Sequence, residues 1–111
     1  MVHLKLEQEL NLLHQRVCPA LGDPKRLLIL YALDEGPLCV SELTEALQLS
    51  QPTVSRHLGV LRGHGLVTTE RRGAAVYYSL ADHRLLKAVD LLREVLRAQV
   101  GADARVAESL A

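Results

Sequence analysis

Between Leu49 and Val67 the chain reads LSQPTVSRHLGVLRGHGLV, and its hydrogen-bonding side chains crowd into the first half of that stretch. Gln51, Thr53, Ser55 and Arg56 follow Ser50 and offer amide, hydroxyl and guanidinium groups. A glutamine amide can bond an adenine edge twice, an arginine can bond a guanine edge, and Ser or Thr hydroxyls reach bases or phosphates. His57 sits at the rim of the apolar set, where it either packs or touches a phosphate. Arg71 and Arg72 lie farther on and suit a phosphate backbone or a minor groove. Two other groupings carry different chemistry. Cys39 precedes Glu42 by three positions, and His14 precedes Cys18 by four, with His3 nearer the terminus. Thiolate, imidazole and carboxylate together would suit zinc or a related ion. A thiol at a helix N-terminus is also biased toward thiolate, as a redox or electrophile sensor requires. The plainer alternatives are a solvated polar helix face, Cys18 as a small buried hydrophobe, and His14 as an interface residue.

Helices and one hairpin must position these groups. Leu4, Leu6, Leu10, Leu13 and Val17 recur at helical spacing, which predicts a first helix over about 4–18, interrupted by Pro19 and Gly22. Asp23-Pro24 reads as an N-cap and a first-turn proline for a second helix, which stops near Gly36-Pro37. Cys39 and Glu42 have capping-box spacing at the head of a third helix that buries Leu43, Ala46 and Leu47. A short turn at Gln48-Leu49 leads to Ser50, the N-cap of a fourth helix with Pro52 in its first turn. Val54, Leu58 and Leu61 form its buried stripe, Gly59 permits a close backbone approach, and Gly63 and Gly65 end it. His64 reads as a residue of that helix's C-terminal end rather than as a ligand. Alternation in VYYSL and a turn at Arg72-Gly73 predict a two-stranded hairpin with arginines at its tip. Asp82 then caps a long fifth helix whose apolar positions exceed what one side of a small domain can cover. The expected fold is mainly α with a small β-hairpin: a winged helix-turn-helix of about five helices plus a two-stranded wing. One domain covers 1–100, and 101–111 is a tail, frayed or disordered.

Composition supports a small helical core. The chain has 111 residues, 49% of them hydrophobic, and its aromatics are three tyrosines. Its two cysteines do not form a CxxC, and the charged N-terminus MVHLKLEQEL is unlike a signal peptide, so a cytoplasmic protein is expected. Net charge is zero, yet residues 50–72 hold four arginines against Glu70 alone. A local basic patch is the footprint of nucleic-acid binding. No Cys–His or carboxylate pair stands at catalytic spacing, so an enzyme is not expected. A winged helix serving as a protein-interaction module is the competing class.

The segments ALGDPKRLLILYAL, LCVSEL, LSQPTVSRHLGVLRGHGLV and VYYSL, in that order, resemble the ArsR/SmtB family of winged-helix repressors over about residues 17–96. That resemblance implies a homodimer built on the first and last helices and a palindromic double-stranded DNA operator. It also implies release when a metal ion or a thiol-reactive signal acts. The family's metal sites do not carry over whole. One needs Cys-Val-Cys, and here Cys39-Val40-Ser41 stands. The other needs Asp-x-His and a later His pair or His and Glu, and here Asp82 is followed by Arg84, Val95 and Ala98. Cys39 and Glu42 resemble half of a site that some members complete with N-terminal ligands from the other subunit, a place for His14 and Cys18. A member that regulates with no metal ligand is the remaining alternative.

Overall fold

The computed structural model describes residues 4–101 and 108–110. In chain order these are α1 (Leu4–Arg16), α2 (Cys18–Leu21), α3 (Pro24–Ala32), a 3-10 turn (Leu33–Glu35), β1 (Leu38–Cys39), α4 (Val40–Leu47), α5 (Gln51–Gly63), β2 (Val67–Arg72), β3 (Ala75–Leu80) and α6 (Arg84–Val100). Most of the tail expected over 101–111 lies outside the described residues, as does His3. Among the described residues, no helix is long and apolar enough to cross a membrane.

Local chemistry sets most boundaries. Pro19 lacks an N–H for the preceding helix. The expected first helix therefore ends early, at Arg16, and a short α2 that was not expected starts at Cys18 with Pro19 in its first turn. Asp23 caps α3 by accepting from the N–H of Lys25 at 2.7 Å and of Arg26 at 3.4 Å. Ser50 caps α5 by accepting from Thr53 N–H at 3.3 Å, with Pro52 in the first turn. The turn between α4 and α5 is tight because Gln48 takes a left-handed conformation (φ 54°), and Leu49 N–H bonds back to the Thr44 carbonyl at 3.3 Å. Asp82 acts one step outside α6, accepting from Arg84 N–H at 2.9 Å.

The sheet holds three antiparallel strands in the order β1–β3–β2, where two were expected. The addition is β1, whose Leu38 and Cys39 stand opposite Tyr78 and Tyr77. A two-residue strand has no periodicity to betray it. The hairpin itself matches expectation, from Val67 opposite Leu80 to Arg72 opposite Ala75. Its two-residue turn needs a positive φ, and Gly73 supplies it at +62°.

Ile29, Leu30, Leu33, Leu43, Val54, Leu58 and Leu61 are fully buried and form one cluster with Leu66, Val67, Leu80 and Leu86. The α5 stripe is thus the expected one. On α4 only Leu43 is buried, because Ala46 faces solvent and Leu47 is half-buried. The outer helices are less well covered. Among the described side chains, α1 buries none, and α6 buries only Leu86 and Val89. Leu91, Leu92, Val95 and Leu96 are exposed on α6, as are Leu6, Leu10 and Leu13 on α1. Polar links hold α6 to the body: the Tyr31 hydroxyl donates to Asp90, and His83 meets Asp34 at 3.1 Å.

Candidate nucleic-acid interface

α4 and α5 form the helix-turn-helix, and the buried Val54–Leu58–Leu61 stripe turns the opposite side of α5 outward. Gln51, Ser55 and Arg56 are exposed there, and among the described residues none of these side chains makes a hydrogen bond or ion pair. They lie in the first turns of the helix, the part that meets base edges when a helix enters the major groove. Ser50 and Thr53 are committed differently. The Ser50 hydroxyl donates to Thr53 Oγ1 at 2.8 Å while accepting from its N–H, so the pair holds the helix start in shape. Gly59 is exposed on the same side, and a Cβ there would meet nothing within 4 Å, so no packing among the described residues requires a glycine. Arg62 is exposed farther along α5. Its only sequence signal was the arginine surplus.

Of the two places open to His57, packing is the one it takes rather than the contact surface with Arg56: it is turned inward and only 4% exposed. Its Nδ1 lies 3.3 Å from Arg26 Nη1. The imidazole is displaced from the contact surface because α5 turns it toward Arg26 of α3. Burial lowers its pKa below the usual imidazole value; Asp23 pushes it up, while Arg26, Arg56 and Lys25 push it down.

The wing arginines are not equivalent. Alternation sends neighbouring strand residues to opposite faces. Arg72 shares a face with Glu70, which it meets at 3.2 Å, and its guanidinium lies 4.9 Å from the centre of the Tyr77 ring. Among the described residues, Arg71 has only a long contact, Nε to the Gly73 carbonyl at 3.4 Å. It carries the uncompensated charge of the wing tip.

The residues singled out as ligands do not assemble. His14 and Cys18, four apart, would share a face of one helix, but the break at Val17 puts them on α1 and α2. Cys18 is exposed, which also overturns its reading as a buried hydrophobe. Cys39 is half-buried with its thiol 3.2 Å from Ser41 Oγ. Glu42 accepts from Cys39 N–H at 3.1 Å, and that bond holds its carboxyl below the usual range, so the carboxylate serves the helix cap. Asp82 is held by Arg84, whose Nη2 stands 2.6 Å from Asp82 Oδ2. Among the described residues, no three His, Cys, Asp or Glu side chains come together as a metal site. Within one chain, Cys39 and Glu42 thus stand as the half site that the resemblance implies, with no third donor beside them among the described residues.

The Asp82–Arg84 pair has a titration consequence. The guanidinium and the Arg84 N–H draw the Asp82 pKa from 3.8 down to about 2. A depressed carboxyl favours the folded state above its ordinary pKa, and that contribution fades as pH falls from about 4 through 2. The link at the head of α6 should thus survive mild acid. Carboxyl chemical shifts of Asp82 should give a midpoint near 2, and Arg84→Ala should return it toward 3.8. A wild-type midpoint already near 3.8 would mean the pair does not hold in solution.

Residues 23–69, from the α3 cap through α5 to the start of the wing, match the model of the bacterial regulatory protein, arsR family. The HTH-type transcriptional repressor SmtB of Mycobacterium tuberculosis is 50% identical over 66 residues, 60% of this chain and 49% of that protein. An HTH-type transcriptional regulator of Methanocaldococcus jannaschii, itself uncharacterised, is 38% identical over 77 residues, covering 68% of this chain and 86% of its own length. A homodimeric winged helix-turn-helix DNA-binding domain from Mycobacterium bovis, solved in solution, superposes with a TM-score of 0.73 at 27% identity, over 89% of this chain and 91% of that one. The chain spans about half the length of the first curated relatives it matches.

Proposed function

We propose, for a chain that belongs to the bacterial ArsR family of regulatory proteins, that it is a sequence-specific regulator of transcription that binds double-stranded DNA as a homodimer in the cytoplasm. The observation that carries this reading is the unpartnered polar face of α5, Gln51, Ser55 and Arg56, at the outer side of a helix-turn-helix. A helix offered this way fits the major groove, where amide and guanidinium groups distinguish base pairs. Arg71 at the wing tip adds a cation for the flanking backbone. Repression is the mode of action that the name of the mycobacterial relative supports. Dimerisation is supported by the open apolar faces of α1 and α6, and by a superposable relative described as homodimeric. A twofold protein favours a palindromic operator.

The test is a titration of the purified protein against a duplex from the DNA upstream of its own coding region, beside a scrambled duplex. Tighter binding to the first supports the reading, and equal binding to both, or to neither, overturns it. Salt dependence checks the wing. Arg71→Ala should weaken all duplexes alike and make the log–log salt slope shallower by roughly one unit per lost contact. Arg72→Ala should change the slope less, because Glu70 already offsets that charge. Equal slopes for both variants would show that the wing pairing opens on DNA.

A further inference from the structure

The recognition helix is seated by a residue outside the helix-turn-helix. Arg26, half-buried in α3, spends its guanidinium on three partners. Its Nε donates to the Ala20 carbonyl at 2.8 Å and its Nη2 to the Pro19 carbonyl at 3.1 Å, both in α2. Its Nη1 points at His57 Nδ1 on the buried side of α5. A guanidinium can only donate. His57 Nδ1 must therefore present its lone pair, which places the ring proton on Nε2 and makes the ring neutral. Protonating the ring would put an N–H against the guanidinium and set two cations side by side in a buried place. A second tie runs from the C-cap of the same helix: His64 Nδ1 lies 2.9 Å from the Arg16 carbonyl at the end of α1. A carbonyl only accepts, so this ring donates, and it can do so whether neutral or charged. The middle of α5 is thus tied through Arg26 to α2, and its C-cap to the end of α1, but only the Arg26 link requires a neutral histidine.

We infer that Arg26 is a positioning residue for the recognition helix: anchored on the Pro19 and Ala20 carbonyls, it holds neutral His57 and so sets where Gln51, Ser55 and Arg56 stand against DNA. This rests on the DNA-binding function proposed above. His57 directly follows Arg56, so a shift of the buried ring carries the contact face with it. The charged groups facing His57 are Asp23, Lys25 and Arg26 at the start of α3, and Arg56 on its own helix. Three of the four are cationic, and burial acts in the same direction. The link is complete above the ordinary imidazole pKa of 6.5 and is lost as pH falls below it through the lowered value.

The experiment compares the intact protein with Arg26→Met, which keeps the apolar stem, and with His57→Ala and His57→Gln, the last retaining an acceptor that cannot titrate. Two readouts are taken between pH 5.5 and 8: amide-exchange protection factors along α5 in the free protein, and affinity for the upstream duplex. The unaltered protein should bind more weakly at the acid end, by less than about tenfold because a single lowered imidazole titrates, with α5 protection falling in step while that of α3 holds. Arg26→Met should bind about tenfold more weakly at pH 7.5, with a flattened pH profile. His57→Gln should recover binding relative to His57→Ala and show the flat profile. Unchanged affinity and pH profile in Arg26→Met would overturn the inference, as would a wild-type profile in His57→Gln. If neither duplex binds, the functional proposal fails, but the link is still decided. An acid-end loss of α5 protection that is absent in His57→Gln supports it, and the same loss in both proteins overturns it.

Discussion

Leu92→Asp should sediment as a folded monomer at micromolar concentration, where the unaltered chain should sediment as a dimer. Leu92 is 64% exposed on α6, in a stripe that begins with Leu85 and Val89 and continues through Leu96. The body covers only the first turns of that stripe, burying Leu86 and Val89. α1 offers a second open face with Leu6, Leu10 and Leu13, and it buries no described side chain of its own. Apolar area of this extent is stabilised when another surface removes it from water. A carboxylate at position 92 would enter such an interface without a partner, and in a twofold assembly it enters twice. An uncompensated buried charge costs about 3–5 kcal/mol. Entering twice, it lowers the dimerisation constant by about four to seven orders of magnitude. The fold should persist, since Leu92 lies outside the buried cluster, and far-ultraviolet circular dichroism checks this. Duplex binding should fall with the dimer, because a single half-site retains half of the contacts. A variant that remains dimeric would place the interface elsewhere.

Arg56→Ala should cost about 1–3 kcal/mol of specific binding, roughly a ten- to hundredfold loss, while leaving the protein as stable as before. Arg56 is exposed, and among the described residues it has no hydrogen bond or ion pair to lose. Surface substitutions of that kind change stability by less than about 0.5 kcal/mol. The expected signature is selective. Preference at one base-pair position of the upstream duplex should relax, whereas affinity for the scrambled duplex should fall only by the loss of one cation. Melting temperature and binding to single-base variants of the duplex are the two measurements. If every variant is discriminated as before, Arg56 does not read a base. If scrambled and upstream duplexes weaken equally, it contacts a phosphate instead.

The helix-turn-helix and wing could be read from the chain because their signals are local. Ser50 and Pro52 open α5 through backbone groups within three residues, and the stripe of Val54, Leu58 and Leu61 repeats at the period of the helix itself. The hairpin shows itself by alternation and by Gly73, whose positive φ few other residues adopt. The open faces of α1 and α6 were also implied, since a helix with more apolar positions than one side can cover needs a second surface.

Contacts between distant segments decided the remainder. His57 sits three positions after Val54 and one before Leu58, so periodicity leaves it on the border of the stripe. Arg26, 31 residues away, helps to place it inside. Arg71 and Arg72 are indistinguishable by type, and strand pairing gives one of them Glu70 and Tyr77 while leaving the other open. β1 exists because β3 has a free edge for Leu38 and Cys39 to join, not because two residues favour a strand. The i, i+4 spacing of His14 and Cys18 promised a shared face, and the helix break before Pro19 removed it. Helix caps, stripes and turns depend on neighbours a few residues away, so residue order specifies them. The protonation state of His57, the free charge on the wing and the spent carboxylates of Glu42 and Asp82 depend on which groups the folded chain brings within hydrogen-bonding reach.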